Sequence, residues 1–239
     1  SVTEGDRLYV AFPSVGVRIF DISDPTVPVL IGTVEPDGEG YHLWILSDLD
    51  VQGDRLYLAG SGYQWSPESM SLGVLIMDVS DPSAPVRVGA ISGRSRGIVV
   101  REDRAYVSRR PRGIKIYDVA DPEVPALLAQ ECSPRVRGLA LRDDELFAGG
   151  CHKLRVFDTQ ALPDIPEIDS SPTEGPGWRV TLAGDRVHVS NLWGGLSTVG
   201  DGPRVDSWST AALFPKIIWV NNFLCSEKVW TRTLHFPKL

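Results

Sequence analysis

The residues best suited to chemistry come in a repeated phrase. "DISDPTVPVL" at 21–30 returns as "DVSDPSAPVR" at 78–87 and as "DVADPEVPAL" at 118–127. Each copy sets two carboxylates three residues apart, which is how a hard-cation site might begin. Calcium, however, takes about 6–8 oxygens, and one copy supplies only two carboxylates. The same residues have local uses. Asp24 and Asp81 can accept backbone N–H groups and start a turn. Pro25 and Pro82 fix φ where a strand must stop. Pro28 and Pro85 open the next strand at an edge, where a missing N–H is tolerated. A worn copy, "DTQALPDIP" at 158–166, keeps Asp158 and Pro166 but not the Asp-Pro pair. The phrase therefore reads as a structural marker, and no metal is expected at it.

Other reactive constellations are sparse. His42, His152, His188 and His235 lie in unrelated segments, without the convergence a zinc site needs. There is no G-x-S-x-G elbow. No glycine run opens a helix that could cradle a phosphate. Cys132, Cys151 and Cys225 make no C-x-x-C pair, and a disulfide between Cys132 and Cys151 stays open. No catalytic residue and no cofactor is expected.

Stepping from side chains to the elements that carry them, the dominant signal is internal repetition. The anchors are "GDRLYVA" at 5–11, "GDRLYLA" at 53–59, "EDRAYVS" at 102–108, "DDELFAG" at 143–149 and "GDRVHVS" at 184–190, with a weaker "NNFLCS" at 221–226. They recur at 48, 49, 41, 41 and about 37 residues. Around each anchor lie further short runs of Val, Ile, Leu and aromatics bounded by Gly, Pro, Asp and Asn, and many of these alternate apolar with polar. These are strand signatures. No window carries a convincing 3.6-residue period with helix caps. Four strands per unit, repeated, is the arithmetic of a β-propeller, in which neighbouring blades bury each other's faces.

With "DRLYVA" followed by "GVRIFDISDPTVPVLIGTVE", and "GIKIYDVADPEVPALLA" in the same form, the chain resembles the LVIVD-repeat propellers. The match is strong over 5–132, fair over 136–172 and weak past about 190. The resemblance implies a bacterial or archaeal secreted or surface propeller and brings no catalytic motif with it. The expected fold is all-β: one propeller domain over 1–239, with four-stranded antiparallel blades. About six units are expected, at 5–35, 41–92, 96–132, 136–172, 177–209 and 214–239, with five to seven open, and the chain may be part of a longer protein. The first unit is expected to lack the strand ahead of its anchor.

In such a blade the first strand lines the axis and the fourth lies at the rim. The loops before strand one and between strands two and three then share one face, which is where a rigid scaffold presents binding residues. Two loops of the second unit are long: 36–46, with His42 and Trp44, and 60–72, with Tyr63 and Trp65. Exposed aromatics give contact area at low entropic cost. Counting back from the anchors places Arg96, Arg137 and Trp178 at one level, and Asp48 and Arg179 one residue further along. Arg96, Arg137 and Arg179 would converge at a channel mouth and attract an anion. The competing expectation is that they pair with acids such as Asp48.

Composition narrows the partners. The formal charge is −7, which argues against a nucleic-acid partner, and no apolar run is long enough for a membrane span. The expectation is a binding propeller for a protein, or for an anionic or carbohydrate ligand. The rivals are a lyase or hydrolase at the channel mouth and a purely structural module.

Overall fold

The computed structural model describes residues 1–12, 15–35, 42–63, 72–109, 112–191, 195–199 and 205–208. They form five antiparallel four-stranded sheets, each built from consecutive strands. The first blade holds β1 (Val2–Glu4), β2 (Arg7–Phe12), β3 (Gly16–Asp21) and β4 (Val29–Val34). The second holds β5 (His42–Gln52), β6 (Arg55–Tyr63), β7 (Leu72–Asp78) and β8 (Val86–Ser92). The third holds β9 (Ser95–Arg101), β10 (Arg104–Arg109), β11 (Arg112–Asp118) and β12 (Ala126–Pro134). The fourth holds β13 (Gly138–Arg142), β14 (Glu145–Gly149), β15 (Lys153–Asp158) and β16 (Glu167–Pro172). The fifth holds β17 (Gly177–Ala183), β18 (Arg186–Asn191), β19 (Gly195–Val199) and β20 (Val205–Trp208). The first strands β1, β5, β9, β13 and β17 succeed one another in contact around the axis.

Five blades stand among the described residues, within the five to seven expected, and the sixth expected unit, at 214–239, lies outside them. One expectation needs correcting: the first blade has the leading strand it was expected to lack, since Val2–Glu4 pairs with β2. It was invisible in the sequence because three residues with a single apolar side chain carry no period. Among the described residues, Cys132 and Cys151 form no disulfide.

Alternation within each blade makes two apolar faces, and four apolar layers join consecutive blades. Tyr9, Val17 and Ile19 of the first blade meet Leu56, Leu58 and Met77 of the second. Tyr57, Val74 and Ile76 meet Val107, Tyr117 and Val119. Tyr106, Ile114 and Ile116 meet Leu146 and Phe157. Phe147 and Val156 meet Val187 and Val189. The Tyr position of each anchor thus faces the next blade.

The repeated phrase is the clasp between blades. Its acids are turn caps, as expected. Asp21 accepts the Ser23 N–H (2.8 Å) and Asp24 the Thr26 N–H (2.9 Å). Asp78 and Asp81 do the same for Ser80 and Ser83, and Asp118 and Asp121 for Ala120 and Glu123. The turn so shaped presses on the preceding blade. The outer strand there carries a bulge, with the register shifting between Ile19 and Phe20 and again between Ile76 and Met77, and this bends the strand. Beside each bulge sits Gly32 or Gly89, where a Cβ would overlap the carbonyl oxygen of Pro82 or Pro122 from the next blade. Arginines of the anchors complete the clasp. Arg7 donates to the Val79 carbonyl (3.0 Å), and Arg55 to the carbonyls of Val119 and Ala120 (3.1 Å each). At the third blade Ala129 stands in the glycine position, and the turn it faces is the worn one.

The Gly89→Ala substitution forces its methyl against backbone, which cannot swing aside. We expect a loss of about 1–3 kcal/mol, read as a lower thermal midpoint. An unchanged midpoint would show that the clasp has slack.

Candidate functional site at the channel mouth

The inner strands enclose a cavity of about 270 Å³ lined by residues of all five blades, among them Val2, Asp48, Asp50, Ile98, Ala140 and Arg179. Its walls are uneven. Between blades three and five the inner strands come close because Gly97 and Gly138 carry no side chain. A Cβ on Gly97 would overlap the Arg137 carbonyl, and one on Gly138 would stand 2.7 Å from the Arg179 Cα. Between blades two and three, Asp48 and Asp50 take that space instead. The free edge of an inner strand exposes unpaired N–H groups. Asp50 accepts the Val100 N–H (2.7 Å) and, through its other oxygen, the Val51 N–H (3.0 Å). Asp48 accepts the Ile98 N–H (3.3 Å). These carboxylates finish the edge of β9.

They do so at an electrostatic cost. Burial pushes Asp50 up to about 6, against the lowering effect of the Val100 and Val51 amides. Burial also raises Asp48, although Arg179 and the Ile98 amide pull the other way. Arg179 lies 3.9 Å from Asp48, with about half of its side chain exposed. The amino group of Ser1 is close enough to both to sense their charges, and burial lowers its ionisation.

The predicted site residues divide. Asp48 and Arg179 do meet, as an ion pair across the cavity. Arg137 stacks over the Trp178 ring at 4.6 Å, and Trp178 is 48% exposed. Arg137 stacks on Trp178, Arg179 pairs with Asp48, and of the three arginines Arg179 alone lines the cavity, Arg96 being half-buried in β9. His42 and Tyr63 occupy paired positions at the far end of β5 and β6, and residues 36–41 and 64–71 of the two long loops lie outside the described residues. Trp44 lies within β5, and Trp65 lies outside the described residues. His188, expected to be a packed strand residue, is half-buried and shares a hydrogen bond with Thr198 (2.9 Å).

Sequence reasoning missed two buried hydroxyls on this face. Ser95 accepts the Gly60 N–H (3.0 Å) and donates to the Gly73 carbonyl. Ser108 donates to the Arg137 carbonyl (2.7 Å). Both tie one blade to the next just behind the mouth. A small polar residue at a strand end carries no period, so nothing in the sequence marked them. No cluster of three or more His, Cys, Asp or Glu suited to a metal is found among the described residues.

Asp50 gives the site a pH signature. Its folded value lies above the ordinary one of 3.8, so between about 4 and 6 the folded protein holds a proton that the unfolded chain has released. Its contribution to stability is therefore fullest below about pH 4 and declines as pH rises to about 6. In Asp50→Asn that decline should become shallower in the urea midpoint measured across the window, with the buried Asp48 contributing what remains. A decline of the same slope in the variant would exclude Asp50 as its source.

The LVIVD repeat model matches residues 2–35, 71–91 and 92–130. The sequence matches no curated protein. Among solved structures the chain is similar to the computationally designed Ika8 protein, at 8% identity and TM-score 0.57, covering 83% of this chain and 57% of that one. It is also similar to a protein from Lactobacillus plantarum, at 13% identity and TM-score 0.56, covering 80% of this chain and 60% of that one. The chain thus spans less than two thirds of either structure, and at these identities the likeness speaks for the fold alone. No helix among the described residues is long and apolar enough to cross a membrane.

Proposed function

We propose that this LVIVD-repeat β-propeller is a binding protein whose ligand, an acidic saccharide, sits at the channel mouth over Trp178. The observation that carries this reading is the half-exposed Trp178 ring with the Arg137 guanidinium stacked on it, one residue from Arg179 at the cavity wall. An exposed indole offers a flat apolar platform at low entropic cost. A sugar ring can lie on such a platform. Arginine's planar fork suits a carboxylate or sulfate better than lysine's point charge does. Arg179 can supply the second contact, because its pairing with Asp48 is long and half-solvated.

The rival enzymatic reading has less support. Asp48 and Asp50 would be its acid and base, yet both are engaged by amides of the fold's own edge. A protein partner remains the second reading, on one observation: β5 and β6 reach to the His42–Tyr63 pair and make the longest hairpin among the described residues.

The test is calorimetric titration with uronic-acid, sulfated and neutral oligosaccharides of matched length. We expect the acidic ones to bind, with affinity falling as salt rises. Trp178→Ala and Arg179→Ala should each weaken binding about tenfold or more, as central aromatic and arginine contacts do. Equal binding of the neutral series, or full affinity in Trp178→Ala, rules the reading out. Binding that disappears only when the β5–β6 hairpin is shortened moves the site to that arm.

A further inference from the structure

The two faces of blades three to five carry opposite charge. Antiparallel strand order puts the turns after β9, β11, β13 and β15 on the face of the Asp-Pro turns. Those turns hold Glu102, Asp103, Asp121, Asp143, Asp144 and Asp164, against Arg101, Arg104 and Arg142 at the strand ends. The turns after β8, β10, β12 and β16 lie on the other face, around the channel mouth. Arginines collect at these turns and the strand ends beside them: Arg94, Arg96 and Arg109 on blade three, Arg135 and Arg137 where blade four begins, and Arg179 on blade five. The carboxylates that the described residues bring to this side are Glu131 and Glu174, with Asp48 reaching Arg179 from blade two.

These arginines are strung across three blades and share no single pocket. The inner strands beneath them touch, since a Cβ on Gly97 would overlap the Arg137 carbonyl and one on Gly138 would stand 2.7 Å from the Arg179 Cα. Arg96, Arg137 and Arg179 thus follow one another at the spacing of neighbouring strands. Arg109 lies one strand further out, at the position paired with Ser95. At roughly 5 Å a step the row covers about 15 Å before the side chains add their reach. Arg109 is also fixed in place. Its guanidinium occupies the space that a Cβ on Gly93 would need, and it donates to the Tyr117 hydroxyl (3.0 Å). Other N–H groups of the fork are left to face a ligand, and a side chain already held loses little freedom on binding. A compact anion needs donors that converge. A row of them suits a charge that repeats along a chain. Trp178 stands at the blade-five end of the row, under the Arg137 guanidinium.

We propose that a linear acidic polysaccharide lies along this row, from Trp178 across blade four to Arg109 and Arg94 on blade three. This rests on the acidic-saccharide reading above and adds the length and path of the ligand. A disaccharide covers only the Trp178 end. Each further acidic unit gains an arginine on the same rigid scaffold, at the high effective concentration of a tethered group.

The unmodified protein is titrated with uronic-acid oligosaccharides from disaccharide to octasaccharide. We expect affinity to climb at least about tenfold from disaccharide to hexasaccharide, and its salt dependence to steepen with length, since each added ion pair is screened. In the double variant Arg94→Ala/Arg109→Ala, hexasaccharide affinity should fall roughly fivefold or more. The disaccharide should bind it as before, which also shows that the variant is folded. If it does not fold, the length series alone decides. Affinity that depends on Trp178 but not on length overturns the path and leaves the acidic-saccharide reading standing. No binding by any acidic oligosaccharide overturns both. Affinity without length dependence, together with binding to phosphatidylserine vesicles that the double variant loses, assigns the row to a membrane surface and overturns the proposal.

Discussion

The structure depends on how closely one backbone can approach another. A proline carbonyl of one blade rests where a side chain of the preceding blade's outer strand would have to be. At Gly32 and Gly89 the absence of a Cβ is what permits the contact. Every other part of the repeated phrase can be derived from it. The outer strand is bulged next to the glycine, which turns that stretch toward the incoming turn. The turn must keep one shape to reach it, and two aspartates per copy hold it by capping the amides two residues on. The hydroxyls and amides of Thr26 and Ser83 hold Asp24 and Asp81 below the ordinary carboxylate range, so both caps stay ionised at neutral pH. The anchor arginines then collect the carbonyls left free at the turn's entry. A phrase that resembles a cation site is, part by part, one steric contact and its supports.

The same constraint shapes the axis. Blades clasped at the rim bring their inner strands together, and each inner strand presents an unpaired edge. The chain meets that edge in two ways. Glycines at 97 and 138 let backbones touch. Aspartates at 48 and 50 cap the amides of β9 from the neighbouring blade. The second way keeps the cavity open but leaves carboxylates in a poorly solvated place, and their raised pKa values record that cost. Arg179 partly offsets it from across the cavity. The charged groups in the channel are therefore first a consequence of how the ring is built. This is why the search for a ligand moves from the carboxylates to Trp178, whose exposure no packing requirement explains.

How much of this was legible in the sequence depended on range. Period-2 alternation and the recurring anchors gave the strands, their order and the faces, because such signals are local. The turn role of Asp24 and Pro25 was legible for the same reason. Val2–Glu4 was not, being too short to carry a period. Gly32 and Gly89 sat in plain view inside "LIGTV" and "VRVGA", yet their reason lies in another blade, and no single-strand pattern reports it. The arginines show the limit most clearly. Counting from the anchors put Arg137 and Arg179 at the right height on the axis, since height is set along a strand. Pairing with Asp48 was among the expectations and holds for Arg179, but that Arg137 would turn to Trp178 was not, because that choice is made across the channel, by burial and by the partner available.

The two faces of the propeller therefore differ in how their side chains are used. On the face of the Asp-Pro turns, Arg7, Arg55 and the paired aspartates bind backbone, and what they bind belongs to the clasp. A change there acts on blade spacing before it acts on anything bound. On the opposite face the buried hydroxyls of Ser95 and Ser108 hold the backbone together from behind, which releases the larger side chains in front of them. Trp178 and Arg137 stack on each other there. Side chains in that position can change from one repeat to the next without loosening a blade. Under the proposed function, binding specificity belongs on the face where the clasp makes no demands.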